Sequence, residues 1–175
     1  RLVGSEMCIR DSKCTDPAKE HPLMRALRLD KLSLSILEET LLAHLDPQSV
    51  TDKIPSIAFL STTEADVRSR AVSLLSKLSA RATKQLRPSV ISGSSRAGGG
   101  TLPTEEIPTA LIAISPDPLS KIDIKKTEAQ LRSFDPPIIG RIQEDLLLLD
   151  LRTVFQNEEH DILAALEYIS EELAS

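Results

Sequence analysis

The sequence is poor in aromatic residues, which make up 2% of its 175 positions and include no tryptophan. A hydrophobic core must therefore be built from leucine, isoleucine, valine and alanine. Charge of one sign is also scarce, because the formal net charge is only -5. With no dense basic patch for phosphates and few rings for bases, this segment alone is not expected to bind nucleic acid.

Cysteine and long apolar runs are nearly absent as well. Cys8 and Cys14 are the only cysteines, and they have no partners at a spacing typical of zinc sites. No disulfide scaffold is indicated, so a reducing cytoplasm is the default location. No apolar run approaches the roughly 20 residues of a membrane helix, so we expect no membrane partner. Because the cysteines lack partners at a metal-binding spacing, we also expect no metal site. The length and the 41% hydrophobic content fit one globular domain, or one domain plus part of another.

Residues 1–13 do not share the periodicity of the rest of the chain. They resemble translated adapter sequence, and we set them aside as a non-native or disordered segment. A helix is predicted over residues 31–45, capped by Asp30 or Ser33 and ended by Pro47. Its leucines recur at helical spacing and form one apolar stripe: Leu34, Leu37, Leu41 and Leu45. We place a domain boundary close to residue 47, in the polar segment that follows.

The second region, residues 47–175, alternates helices and strands. Ser61 and Glu64 have the spacing of a capping box, which predicts a helix to about residue 82 with Arg68, Arg70 and Lys77 facing solvent. Further predictions are strands at 89–92 and 109–114, a helix at 125–134, a hairpin of 138–142 with 146–154, and a last helix at 158–173 capped by Gln156 or Asn157. This order predicts an α+β fold, with a small, mostly antiparallel sheet covered by helices.

Two arginines provide the main functional candidate. Arg25 and Arg28 are three residues apart, a spacing that puts both guanidinium groups on one side of a helix or tight turn. Guanidinium groups bind phosphate-like anions through paired hydrogen bonds that lysine cannot form. The pattern fits either an anion clamp or two ordinary surface arginines.

A glycine-rich segment is the second candidate. Gly98, Gly99 and Gly100 precede Thr101 and lie shortly before a predicted strand. On composition alone the segment is a flexible linker. Consecutive glycines also allow backbone N–H groups to converge on an anion, so both interpretations remain open.

Three stretches resemble the bacterial L-seryl-tRNA(Sec) selenium transferases. The first is His-Pro-Leu-Met-Arg-Ala-Leu-Arg at 21–28, and the second is Gly-Gly-Gly-Thr-Leu-Pro at 98–103. In the second stretch the family pattern has Ser in place of Thr101. The third runs from Asp-Pro-Pro-Ile-Ile-Gly-Arg-Ile at 135–142 to Leu-Leu-Asp-Leu-Arg-Thr-Val at 148–154. The resemblance spans roughly residues 20–172. It implies that residues 14–46 are the end of the large domain and the connecting helix of a fold-type I pyridoxal-phosphate transferase. It also implies that residues 47–175 are the small C-terminal domain.

The resemblance also implies an activity. The family converts seryl-tRNA(Sec) to selenocysteinyl-tRNA(Sec) with selenophosphate and pyridoxal 5'-phosphate, as a cytoplasmic homo-oligomer. The family's cofactor lysine lies upstream of this sequence, so the chain is expected to be an inactive C-terminal fragment with no catalytic residue of its own. Arg25 and Arg28 match the family's arginines at the selenium-donor site. Second-rank substrate-binding candidates are His21, Gly98, Gly99, Gly100, Thr101 and Arg141.

Alternatives remain at this point. Arg141 and Arg152 are equally compatible with structural pairing to acidic residues. The whole chain is also compatible with a related pyridoxal-phosphate lyase that does not act on tRNA, or with a non-catalytic α+β module for oligomerisation or anion binding.

Overall fold

The computed structural model describes residues 16–17, 19–47, 49–97, 106–115 and 123–172. The chain divides into two compact units, Arg1–Ile54 and Pro55–Ser175. Within the described ranges, no helix is both long and apolar enough to span a bilayer. The assignment of the two regions to particular domains of a larger enzyme stays a prediction.

The first unit is helical where it is described. Its helices are α1 (Met24–Leu27), α2 (Lys31–His44) and α3 (Val50–Lys53). The predicted helix is thus confirmed as α2, and Asp30 is its cap, because the Asp30 carboxylate accepts hydrogen bonds from the Ser33 backbone N–H at 2.9 Å and from the Ser33 hydroxyl at 2.8 Å. The leucine stripe of α2 is exposed rather than packed.

The second unit has five helices and four strands among its described residues, with two short 3₁₀ helices near its end. Its elements are α4 (Pro55–Ser61), α5 (Glu64–Leu75), α6 (Ala80–Leu86), β1 (Ser89–Arg96), β2 (Glu106–Ile114), α7 (Ile124–Ser133), β3 (Arg141–Gln143), β4 (Leu146–Asp150), the 3₁₀ helices Leu151–Thr153 and Gln156–Glu158, and α8 (Glu159–Glu172). The predicted α+β class is confirmed.

The start of α5 differs from the predicted capping box. Thr63 is the cap, since its hydroxyl accepts from the Asp66 backbone N–H at 3.2 Å, whereas Ser61 ends α4. Glu64 is not available to Ser61 because its carboxylate binds the Arg68 guanidinium at 2.7 Å. The Glu64 carboxylate accepts hydrogen bonds from the side chains of Arg68 and Ser92, and these bonds hold the pKa of Glu64 below its usual value.

The single helix predicted to residue 82 is in fact two helices. Ser79 interrupts it by capping α6, with its hydroxyl accepting from the Ala82 backbone N–H at 3.1 Å. The Glu167 carboxylate on α8 accepts from both the backbone N–H and the hydroxyl of Ser79, at 2.6 and 2.7 Å. Serine competes for backbone hydrogen bonds and therefore favours helix starts over helix interiors, and here a distant carboxylate fixes the break.

The four strands form an antiparallel sheet in the order β1-β2-β4-β3. The predicted hairpin is β3 and β4, with a two-residue turn at Glu144 and Asp145, whose φ angles are 52° and 59°. Two consecutive left-handed residues are typical of the type I′ turn, which matches the twist of the paired strands. In β1, a Cβ at Gly93 would lie 2.4 Å from Leu111 Cδ1, so a larger residue there would require the Leu111 side chain to shift.

The core lies between the sheet and the helices of the second unit. Buried side chains from α5, α6, α7 and α8 meet the inward residues of β2 and β4. Burial of each large aliphatic side chain contributes about 1.5–3 kcal/mol. The fully buried set includes Leu74, Leu86, Ile112, Ile114, Leu131, Leu147, Leu166 and Ile169.

The end of the chain also differs in detail from the prediction. The predicted strand to residue 154 stops at Asp150, where the 3₁₀ helix Leu151–Thr153 begins. The proposed caps Gln156 and Asn157 lie instead inside the 3₁₀ helix that leads into α8. The helix itself buries Ile162, Leu166 and Ile169 as predicted.

The cap of α5 gives a direct test of the helix start. Thr63→Ala should lower the free energy of unfolding by about 1 kcal/mol, because an N–H at the helix N-terminus loses its acceptor. Ser61→Ala is the matched control and should change it by less than about 0.5 kcal/mol. Urea denaturation of the two variants makes the comparison, and a larger loss for Ser61→Ala would restore the capping box predicted from sequence.

Candidate functional site

Arg25 and Arg28 flank the end of the short helix α1. Arg25 lies inside the helix, and Arg28 is its C-terminal cap residue, with φ -64° and ψ 130°. Both side chains are exposed, and neither has a hydrogen bond or ion pair to any described residue. The two guanidinium groups are therefore available to an external anion.

His21 shapes the turn that precedes this helix. Its ring Nδ1 accepts a hydrogen bond from the Leu23 backbone N–H at 3.2 Å, and its carbonyl oxygen accepts from the Met24 N–H at 2.9 Å. The structure therefore brings His21, Arg25 and Arg28 together in one segment, with the histidine as a local support for the turn.

The nearest acidic neighbour in sequence does not neutralise the arginine pair. The Asp30 carboxylate is directed to Ser33 at the start of α2, and hydrogen bonds from the Ser33 backbone and side chain lower the pKa of Asp30. A charged carboxylate near the N-terminus of a helix is also favoured by the helix dipole. Asp30 is thus bonded to the first turn of α2 and forms no ion pair with Arg28.

The remaining predicted site residues belong to the second unit or lie outside the described ranges. Arg141, on β3, is exposed and donates from Nη2 to the Ser94 carbonyl oxygen at 2.9 Å. Its structural partner is therefore a backbone carbonyl of β1 and not an acidic side chain. Residues 98–101, which contain Gly98, Gly99, Gly100 and Thr101, lie outside the described residues.

Arg152 has a structural role, which the sequence analysis left open, but its partners are carbonyl oxygens rather than acidic side chains. It is 3% exposed, and its guanidinium donates to the carbonyl oxygens of Phe59 at 3.0 Å and Pro108 at 2.6 Å. A third donation, to the Thr62 carbonyl, comes from the same nitrogen that reaches Phe59. The prediction of an acidic partner for this guanidinium is wrong, since carbonyl oxygens surround it.

A buried polar cluster surrounds the same position. The Asp150 carboxylate accepts from the Arg152 backbone N–H at 2.9 Å and from the Thr109 hydroxyl at 3.1 Å, and it also accepts from the Ser95 hydroxyl. Thr109 is fully buried. These bonds join β1, β2 and β4 near the place where β1 ends and β2 begins. Residues 97–105 lie between these two strands in the sequence.

Arg70 is a further correction to the sequence prediction. Its side chain is 17% exposed rather than solvated, because Nε pairs with the Glu159 carboxylate at 2.6 Å and Nη2 donates to the Val154 carbonyl at 2.6 Å. This ion pair could not be predicted from the sequence around Arg70, because Glu159 lies on α8, far away along the chain. Arg70 therefore joins α5 to the start of α8.

One cleft among the described residues of the second unit does not suit an anion. A cleft of about 260 Å³ is lined by Asp150, Glu158 and Asp161 together with apolar residues from 136–139. Its ionisable groups are all acidic, so it would repel a phosphate-like ligand. Among the described residues, no group of three or more His, Cys, Asp or Glu side chains is arranged to hold a metal ion.

Comparison with known proteins shows the family. The model of the L-seryl-tRNA selenium transferase (SelA) family matches residues 5–155, and the chain belongs to this family. Three L-seryl-tRNA(Sec) selenium transferases are similar to it. That of Geotalea uraniireducens is 39% identical over 173 residues, 97% of this chain and 37% of the relative. That of Geobacter sulfurreducens is 36% identical over 89% of this chain and 33% of the relative, and that of Aquifex aeolicus is 40% identical over 90% and 32%.

The chain spans about a third of the length of these relatives. The match to the family model begins inside the segment 1–13, and the assignment of that segment as non-native stays a prediction. A solved D-glucosaminate-6-phosphate ammonia-lyase covers 66% of this chain and 28% of its own, at 21% identity and a TM-score of 0.42.

The described residues do not fit a pyridoxal phosphate site. The cofactor requires a lysine amine that is desolvated or otherwise activated as a nucleophile. All seven lysines in the described ranges are exposed, and none of them lines a cleft of the second unit given above. No chemical step is therefore assigned to the cofactor in this chain.

The Arg152 contacts predict a large effect on stability. A hydrogen bond to a charged group contributes about 1.5–3 kcal/mol, so Arg152→Met should lower the free energy of unfolding by at least about 3 kcal/mol. Arg141→Met is the matched control, because Arg141 is exposed and makes one such bond, and it should cost less than about 1 kcal/mol. Equal midpoints in urea for the two variants would contradict the structural role of Arg152.

Proposed function

We propose that this chain is part of an L-seryl-tRNA(Sec) selenium transferase that converts seryl-tRNA(Sec) to selenocysteinyl-tRNA(Sec), and that Arg25 and Arg28 bind the donor anion, selenophosphate. Family membership and the names of the similar proteins support the activity. The single observation that carries the site is the pair of exposed guanidinium groups that have no partner among the described residues. Family membership also favours the transferase over the lyase and the non-catalytic module.

The chemistry of the donor suits this pair. Selenophosphate is a phosphate-like anion, and a planar guanidinium binds its oxygens through two parallel hydrogen bonds. Two arginines one helical turn apart can hold separate oxygens of the same anion. Since His21 supports the turn and Asp30 is occupied by Ser33, the local structure keeps both arginines free of competing partners.

The other predicted residues take secondary roles in the proposal. Backbone N–H groups of Gly98, Gly99 and Gly100, with the Thr101 hydroxyl, would add neutral donors to an anionic substrate. Arg141 uses one Nη for Ser94 and retains other N–H groups for a substrate contact. These assignments rest on the resemblance of their motifs to the family.

The cofactor and assembly also belong to the proposal. We place the pyridoxal 5'-phosphate lysine in the part of the family's polypeptide that this chain does not contain. The complete enzyme would be a cytoplasmic homo-oligomer that binds seryl-tRNA(Sec) through surfaces mostly outside this chain. The mild net charge of -5 is consistent with that division, because binding of a nucleic-acid backbone depends on a surplus of Lys and Arg.

The donor site is tested by Arg28→Lys in a complete enzyme, made by joining this chain to the remaining part of the Geotalea uraniireducens relative. The variant keeps the charge but loses the two-point geometry. Loss of one charge-assisted hydrogen bond, worth about 1.5–3 kcal/mol, should lower kcat/KM for selenophosphate by about 10- to 150-fold. Arg25→Lys should behave alike.

The control is Arg132→Lys, whose arginine lies exposed on α7 and pairs with Glu128; it should retain wild-type kcat/KM. Cofactor absorbance and seryl-tRNA binding should stay unchanged in all variants. Wild-type donor kinetics in both Arg25→Lys and Arg28→Lys would refute the donor site. Loss of cofactor in either would show that the arginines support the fold of the enzyme instead.

The chain alone is expected not to retain pyridoxal phosphate, because its described lysines are all exposed to solvent. After incubation with the cofactor, gel filtration and borohydride reduction, the protein should carry no stoichiometric pyridoxyl absorbance. A stable adduct on a single lysine, identified by mass spectrometry, would place the cofactor in this chain and overturn the prediction.

A further inference from the structure

His21 differs from the other histidines of the chain in the bond that its Nδ1 atom makes. The sequence has three histidines, and all of them lie in the described ranges. In His44 and His160, Nδ1 faces a backbone carbonyl oxygen, at 2.7 and 2.6 Å respectively. In His21 it faces the backbone N–H of Leu23 at 3.2 Å. A carbonyl oxygen only accepts and an N–H only donates, so this ring nitrogen is a donor in two histidines and an acceptor in His21.

This difference locates the ring proton of His21. When Nδ1 of a neutral imidazole accepts a hydrogen bond, the proton lies on Nε2. Nε2 is on another edge of the ring from the bond to Leu23, and no described residue is bonded to it. The turn therefore uses the acceptor of the ring and leaves one N–H donor for another partner.

His21 also lies on the same side of its segment as the arginine pair. The Met24 N–H donates to the His21 carbonyl oxygen at 2.9 Å, and the Leu27 N–H donates to the Leu23 carbonyl oxygen at 2.9 Å. The backbone thus turns helically along this stretch. With about 100° per residue, positions 21, 25 and 28 fall within about 60° of one another around the axis, and spacings of four and three residues bring side chains together.

We propose that His21 binds the donor anion together with Arg25 and Arg28, donating from Nε2 while Nδ1 holds the turn. The inference rests on the proposed function of the arginine pair and adds one neutral donor to its two cations. A rigid ring with an acceptor and a donor on different edges can perform both tasks at once. The supporting bonds and spacings all lie within residues 21–28.

Nitrogen NMR of the imidazole rings in this chain tests the position of the proton. At a pH where the rings are neutral, His21 should show a protonated Nε2 and an unprotonated Nδ1. His44 is the internal reference and should show the reverse, because its Nδ1 donates to a carbonyl oxygen. The variant His21→Asn identifies the signals by removing them. A His21 ring that carries its proton on Nδ1 would overturn the proposal.

Two substitutions in the joined complete enzyme separate the roles of the two ring nitrogens. His21→Asn keeps a side-chain oxygen that can accept from the Leu23 N–H, but it loses the donor at Nε2. It should lower kcat/KM for selenophosphate by about 10- to 150-fold, because a hydrogen bond to a charged group is lost. His21→Gln places an amide N–H near the position of Nε2 and should be the more active of the two variants.

A histidine that only supports the turn predicts the opposite order. His21→Asn would then keep wild-type kcat/KM and His21→Gln would be the weaker enzyme, which would overturn the proposal. The control is His160→Asn, since His160 is an exposed histidine in α8, and it should retain wild-type kinetics. Cofactor absorbance and seryl-tRNA binding should be unchanged throughout. Loss of the cofactor in both variants of His21 would show that the residue supports the fold, and the proposal would be wrong.

The arginine variants distinguish a failure of this inference from a failure of the proposed function. If Arg25→Lys and Arg28→Lys keep wild-type donor kinetics, the donor site itself is refuted and His21 has no anion to bind there. If both are impaired while His21→Asn is not, the donor site stands and only the role of Nε2 is wrong.

Discussion

The buried guanidinium of Arg152 is the constraint on which the second unit depends most. A charge inside a protein is costly unless polar groups surround it, and Arg152 meets this demand with three carbonyl oxygens from separate places in the chain: Phe59, Thr62 and Pro108. These contacts fix the junction of α4 and α5 against the start of β2. The Asp150 carboxylate binds Ser95 near the end of β1 and Thr109 in the first half of β2. The two strands are therefore held together on either side of the segment that connects them.

The regular elements of the fold were predictable because their signals are local. The period of apolar residues indicated α2, α5, α7 and α8, and two apolar runs around a short polar segment indicated the β3–β4 hairpin. The errors arose where a distant residue decides the structure. Glu167 fixes the break at Ser79, and Glu159 withdraws Arg70 from solvent. Neither partner can be paired with its target from one sequence.

The candidate site was predicted in part by spacing and in part by family resemblance. Spacing indicated that Arg25 and Arg28 lie close together, and the structure adds that neither has an internal partner among the described residues. Arg152 could not be separated from them by sequence, because an arginine after an apolar strand has the same appearance whether carbonyl oxygens or solvent surround it. Partner chemistry is therefore the criterion that distinguishes these arginines: Arg70 and Arg152 have partners within the fold, and Arg25 and Arg28 have none among the described residues.

The two units differ in the same way in their apolar side chains. The second unit buries its leucines and isoleucines between sheet and helices, so its stability arises from contacts within the chain. In the first unit the leucines of α2 remain exposed on two sides, and helix propensity alone seldom stabilises a helix of this length. Unsatisfied arginines and uncovered leucines thus occur in the same segment. Among the described residues the first unit therefore lacks the apolar contacts that stabilise the second, so the stability of this chain is concentrated in the sheet and the helices that cover it.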